Sequence, residues 1–199
     1  MSFKRPQISF VHGATVQRIR RGRARAHPLA KTSGASRHKE FKFVDATAGL
    51  GRDALIIASV GASITMIERS KEVFDALTLA LSEAKDAEPE VADAVSRMSL
   101  IYGDSCDLLA EMEPDVVLVD PMHPPRKASS LTKKDMRDLR QLVGDDPDRQ
   151  KLMRAAISAA RKRVVLKWPT GVQLIRCFSK PTFTHAGRTT CYHVFCRPD

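Results

Sequence analysis

Residues 44–54 read VDATAGLGRDA, with Gly49, Gly51 and Ala54 at the spacing GxGxxA. That spacing marks a strand turning tightly into a helix. The glycines make the turn and let backbone approach a ligand, and the small last residue lets helix and strand pack closely. The flanks agree: FKFVDA reads as a strand, and RDALIIASVG as a helix that stops near Gly61. The same turn can hold NAD, FAD or S-adenosylmethionine, so the loop alone leaves the ligand open. A nucleoside-triphosphate P-loop is excluded, because Arg52 follows Gly51 where GK[ST] would be needed.

Outward from the loop, strands and helices alternate. ASITMIE is a second strand, after which Ser70 can cap a helix with Val73, Phe74, Leu77, Leu81 and Ala84 on one face. Residues 99–102 make a short third strand, and DVVLVD, residues 115–120, an apolar fourth of the kind buried on both sides. Asp146 and Pro147 open a helix expected to run to about Lys162, with Leu152, Met153, Ala156, Ile157 and Ala160 inward. RVVLKW is a fifth strand, and PTFTHAG and RTTCYHVFC are two closing strands. This alternation predicts an α/β domain with a mostly parallel sheet and helices on both faces. Ligands of such sheets lie beyond the carboxyl ends of the strands.

The chain has 199 residues, enough for one such domain and too few for two. No apolar run approaches the roughly 20 residues of a membrane span, and MSFKRPQISF lacks the apolar core of a signal peptide, so a cytoplasmic protein is expected. Cys106, Cys177, Cys191 and Cys196 form no CxxC pair and no zinc-finger spacing with histidine, which points to reduced thiols and no metal.

Charge is unevenly spread. Residues 1–42 hold 11 Lys and Arg against a single acid, Glu40, whereas the remainder holds 22 of each sign. A neutral body carrying a basic arm suits a polyanionic partner such as RNA, although a solvated tail would carry the same charge. Residues 18–40 show no clear period and read as loop or arm, and ISFVHGATV before them as a short strand or hairpin. Arg18, Arg20, Arg21, Arg23 and Arg25 are the phosphate-contact candidates there.

Two carboxylates narrow the choice of ligand. Glu68 closes the second strand, 17 residues after Gly51, where it can bind ribose hydroxyls. Asp45 lies at the end of the first strand, where it would repel a dinucleotide pyrophosphate but attract the ammonium and sulfonium of S-adenosylmethionine; capping the next helix is its alternative role. The fourth strand ends in Asp120-Pro121-Met122-His123-Pro124-Pro125, similar to the [D/N]-P-P-[aromatic] loop of methyltransferases acting on exocyclic amines. Such a nitrogen is a poor nucleophile because its lone pair is delocalised into the ring. Acceptors at Asp120 and the Pro121 carbonyl would hold its N–H groups and aim that lone pair, with His123 at the stacking wall. Beyond it, Lys127, Lys133 and Lys134, with Arg126, Arg137 and Arg140, either track phosphates or form a solvated helix face.

On FVDATAGLGRDA, ASVGASITMIER and LVDPMHPPRKASSLTKKDMRDLRQLVG, and more loosely on SFVHGATVQRIRRGRARAHPLAKTSGA, the chain resembles the RsmJ-type methyltransferases. These use S-adenosylmethionine to methylate N2 of a guanine near the end of small-subunit (16S) ribosomal RNA. The resemblance implies a Rossmann-like class I fold with a seven-stranded sheet, occupying residues 41–199 behind a basic arm or short subdomain at 1–40. It implies cofactor contacts at Arg52, Asp53, Glu68, Arg69, Asp104, Ser105 and Asp120, in addition to Asp45, Gly49 and Gly51. It departs at the N-terminus, which is shorter than family members generally have, at His123, where Phe is usual, and at Asp104, where a small hydroxyl residue is common. N6-adenine and protein-amide methylation use the same type of loop and are the alternative chemistries. A noncatalytic ribosome-assembly factor is the alternative class, disfavoured by intact Glu68, Asp120 and glycines.

Overall fold

Strand β4 (Val116–Val119) is buried at every residue, as a strand covered on both faces must be. It lies at the centre of a seven-stranded sheet in this computed structural model, which describes residues 8–121, 147–174 and 180–197. The other strands are β1 (Phe43–Asp45), β2 (Ile64–Glu68), β3 (Met98–Tyr102), β5 (Arg163–Pro169), β6 (Phe183–Ala186) and β7 (Thr190–Cys196). Their order is β3-β2-β1-β4-β5-β7-β6, with β1 to β5 parallel and β7 antiparallel to both β5 and β6. The strand order turns back on itself between β1 and β4, so a crevice opens beyond their carboxyl ends.

Helices cover both faces. Above one face lie α1 (Ala14–Arg20), α2 (Pro28–Thr32), α3 (Arg52–Ser59), α4 (Lys71–Glu83) and α5 (Pro89–Val95), the last two joined through a 3-10 turn at Ala84–Asp86. They share one apolar cluster with Phe43, Ile64, Met66, Leu118 and Val165 of the sheet. Below the other face lie α6 (Ser105–Met112) and α7 (Pro147–Ala159), where Leu109, Met153 and Ala156 pack on Val44, Val117, Val164 and Trp168.

The segment ahead of β1 is a correction to the sequence reading. Residues 14–20 form a helix, not a strand or hairpin, and residues 18–40 are not a free arm. Phe10, Val16, Ile19, Ala24, Leu29, Ala30 and Ala35 are all buried in the first cluster. The signal was weak because three of these seven are alanines, and the larger ones are irregularly spaced among many arginines. Helix α7 also ends before Lys162, at Ala159, and Ile157 is 39% exposed where an inward position was expected. Helices α5 and α6 lie in stretches the sequence reading left unassigned.

Candidate active site

The glycine loop folds as its spacing requires. Gly49 and Gly51 have φ of +52° and +67°, a region that side-chain-bearing residues rarely adopt. A Cβ on Gly51 would also stand 2.6 Å from Cζ of Phe10. The N-terminal segment therefore packs directly against the turn, and Ala54 in the first turn of α3 is fully buried.

Hydrogen bonds that involve side chains tie this loop to its neighbours. The Gly49 N–H donates to Oε2 of Glu68 at 3.1 Å, and the other oxygen of that carboxylate accepts from the Ser70 N–H at 2.8 Å. The Ser105 hydroxyl donates to the Ala46 carbonyl at 2.7 Å, and the Asp120 N–H donates to Oγ1 of Thr47 at 2.7 Å. The ends of β1, β2, β3 and β4 thereby become one rigid rim around a cavity of about 330 Å³.

Of the expected ligand residues, Gly49, Glu68, Arg69, Asp104, Ser105, Asp120 and Pro121 line this cavity. Asp104 caps α6 by accepting from the Cys106 N–H at 2.8 Å, which holds its carboxyl below the usual range. Arg69 reaches across the mouth to Asp148, 3.3 Å away on α7. Asp148, Arg149, Lys151 and Leu152 of α7 complete the wall, and the sequence reading had named none of these as site residues.

Asp45, Gly51, Arg52 and Asp53 stand off the lining of this cavity, at the end of β1 and at the start of α3. Asp45 lies on the same strand face as Phe43, toward α2 and α3, and is only 3% exposed. Nor does it cap α3, whose N-cap is Gly51 without a side-chain bond. Its Oδ1 instead accepts from the Thr47 N–H at 3.0 Å. Burial first, and then the charge of Asp53, push its carboxyl up to about 7.

Beside Asp45 lies an ion cluster that the sequence reading missed. Lys167 on β5 places Nζ 2.6 Å from Asp53 and 2.8 Å from Asp120. Burial opposes its charge, but the two carboxylates outweigh that and raise its pKa. Tyr192, directly opposite Lys167 on β7, is pushed up to about 12 by burial and by Asp53. The His27 ring meets Tyr192 edge-on at 6.5 Å, and burial with nearby Arg18 and Lys167 lowers its pKa to about 4. A lone lysine in RVVLKW carried no signal, because only strand pairing brings it to Asp120.

Among the basic candidates, Arg18, Arg21, Arg23 and Arg25 are exposed. Arg20 is exposed too, but its guanidinium is engaged within the chain, donating to both oxygens of Glu88 at 2.6 and 2.7 Å and to the Val11 carbonyl. His123, Lys127, Lys133 and Lys134, with Arg126, Arg137 and Arg140, lie outside the described residues. Among the described residues no group of three or more His, Cys, Asp or Glu could hold a metal, and no helix is long and apolar enough to cross a membrane.

A strand order with a reversed β7, a glycine turn after β1, and carboxylates closing β2 and β4 define a class I methyltransferase architecture. The chain belongs to the family described as "Putative SAM-dependent methyltransferase", whose model matches residues 3–197. It is 49% identical over 191 residues to a Ribosomal RNA small subunit methyltransferase J of Rhodopseudomonas palustris, covering 96% of this chain and 88% of that one. To the protein of the same name from Brucella anthropi it is 47% identical over 188 residues, 94% of this chain and 92% of that one. Among solved structures, the SAM-dependent methyltransferase from Neisseria gonorrhoeae superposes with a TM-score of 0.75 at 27% identity, covering 98% of this chain and 76% of that one.

Proposed function

We propose that this protein methylates the N2 amine of a guanine in small-subunit ribosomal RNA, at the carboxyl edge of β4. The relatives' names support the RNA class, and the observation that carries the chemistry is the placement of Asp120. It lines the cavity at the end of β4, its backbone held by Thr47 and its carboxylate by Lys167.

The residues present fit S-adenosylmethionine. Glu68, already drawn against the glycine loop, would receive the ribose hydroxyls, and Asp104 on the far rim would accept from the adenine amine. S-adenosylmethionine supplies an activated methyl group. The protein's own task is alignment: Asp120 and the Pro121 carbonyl accept N–H bonds from the target amine and fix the direction of its lone pair. The target proton can leave after transfer, so no strongly basic group is required. A guanine within a helix hides N2 in the minor groove, so the base must be flipped or presented where the strand is already open. Arg18, Arg21, Arg23 and Arg25, together with Lys127, Lys133 and Lys134, are proposed to hold the phosphates of that strand, and His123 to face the base.

Tritiated methyl transfer to unmodified small-subunit RNA and subunits, followed by nucleoside analysis, tests this. N2-methylguanosine is the expected product; N6-methyladenosine or methylated protein would replace the reading. Asp120→Ala should lower kcat about a hundredfold or more while donor binding changes much less.

A further inference from the structure

Asp45, Asp53 and Asp120 come from the end of β1, the first turn of α3 and the end of β4, yet they converge near a single ammonium. Asp45 lies at the end of β1 and Asp53 on α3, while Asp120 stands on the cavity wall. Strand register explains the meeting. Val119 of β4 pairs with Leu166 of β5, so the next residues, Asp120 and Lys167, emerge side by side at the carboxyl edge. Val165, two residues before Lys167, belongs to the same apolar cluster as Phe43 and Leu118, which puts Lys167 on the face that Asp45 occupies.

We propose that Lys167 is a positioning residue for methyl transfer: anchored on Asp53, its ammonium holds Oδ2 of Asp120 and leaves Oδ1 to receive the amine of the base. The proposal rests on the assignment of Asp120 as the acceptor. Three features favour this role over that of a simple structural ion pair. Among the described residues, Lys167 reaches the wall through Asp120. Its second anchor, Asp53, belongs to the helix that follows the glycine loop, so the bridge links the donor loop to the acceptor carboxylate. The Asp120 main chain is already fixed by Thr47, which leaves side-chain rotation as the freedom that Lys167 removes.

The test compares Lys167→Met and Lys167→Arg in the full chain, by methyl transfer to unmodified subunits and by calorimetry with S-adenosylmethionine. Lys167→Met should lower kcat roughly ten- to hundredfold, with donor Kd and RNA KM within about threefold of wild type. Lys167→Arg, which keeps the charge, should recover most of the rate. In an Asp120→Asn background Lys167→Met should cost nothing further, because the lysine acts through that carboxylate. Wild-type kcat in Lys167→Met, or effects that multiply in the double variant, would overturn the proposal. If Asp120→Asn alone turns over at the wild-type rate, the acceptor assignment itself fails, and that outcome is separate. Should Lys167→Met not fold, Asp53→Asn gives the same reading by releasing the other anchor: kcat must fall by a larger factor than donor Kd rises, and an unchanged kcat overturns the proposal.

Discussion

The backbone N–H of Asp120 and Oγ1 of Thr47 are 2.7 Å apart, a bond that joins the end of β4 to the turn after β1. The Thr47 N–H is in turn held by Asp45, so a buried carboxylate, a hydroxyl and the acceptor loop form one chain of hydrogen bonds. Thr47→Val keeps the shape of the side chain and removes the acceptor. An N–H left without a partner costs about 1–3 kcal/mol. Turnover should fall about tenfold or more while the variant remains folded by circular dichroism; turnover equal to wild type would show that this bond does not align the site.

Glu68 spans two loops as well as facing the cavity, through Gly49 and Ser70. Glu68→Ala should weaken S-adenosylmethionine binding roughly ten- to hundredfold, about 1.5–3 kcal/mol. Calorimetry with S-adenosylmethionine and with NAD checks both halves: the wild type should bind the first and not the second.

Gly51→Ala meets two obstacles, a positive φ and the Phe10 ring. Together they should cost about 2 kcal/mol or more. For a chain of this size that corresponds to a melting temperature lower by about 4–8 °C. Adding Phe10→Ala should not restore the wild-type value, since the backbone cost stays and a core ring is removed.

Asp45 makes stability depend on pH. Its carboxyl titrates near 7 in the folded protein against 3.8 as a free side chain, so the folded state keeps the proton longer. The sign follows: this contribution is whole below about pH 4, declines as pH rises toward 7, and is level above. Asp45→Asn, which can still accept from Thr47, should remove the decline. Thermal melts at pH 5 and pH 8 should show the variant gaining on the wild type at the higher pH; an equal difference at both would contradict the burial argument.

Deleting the N-terminal segment cannot test its part in RNA binding, because Phe10, Val16, Ile19 and Leu29 are core residues. Replacing Arg21, Arg23 and Arg25 by Gln leaves that core intact. Each RNA phosphate that thereby goes without its arginine should reduce the slope of log affinity against log salt by about 0.7–0.9. An unchanged slope in filter-binding titrations would show that these arginines do not face the RNA.

The residues that carry local rules were legible in the sequence. The turn from β1 to α3, the carboxylate closing β2 and the acid at the end of β4 each follow from short-range pattern, and each stands on or beside the cavity rim. Lys167 and Asp45 were harder, since their roles depend on which face of a strand they occupy and on which strand lies alongside. Basic charge concealed the helices of residues 14–32: net charge suggested a solvated arm, while the buried apolar positions, Val16, Ile19, Ala24, Leu29 and Ala30, are few and irregularly spaced. Arg20 shows the limit of charge counting, because its partner, Glu88, lies 68 residues away in the chain.

The place of β7 has a consequence for how the chain is made. This strand sits between β5 and β6, pairing with both, although it is the last of the seven to leave the ribosome. Until residues 190–196 emerge, β5 has a bare hydrogen-bonding edge, with Val164, Val165 and Leu166 ready to pair with any other extended chain. A nascent chain stopped before residue 190 would therefore have its cofactor loop synthesised and its sheet unsealed, and it should aggregate. Completion of the sheet, and with it the seat of Lys167 against Tyr192, waits for residues 190–196 to be made.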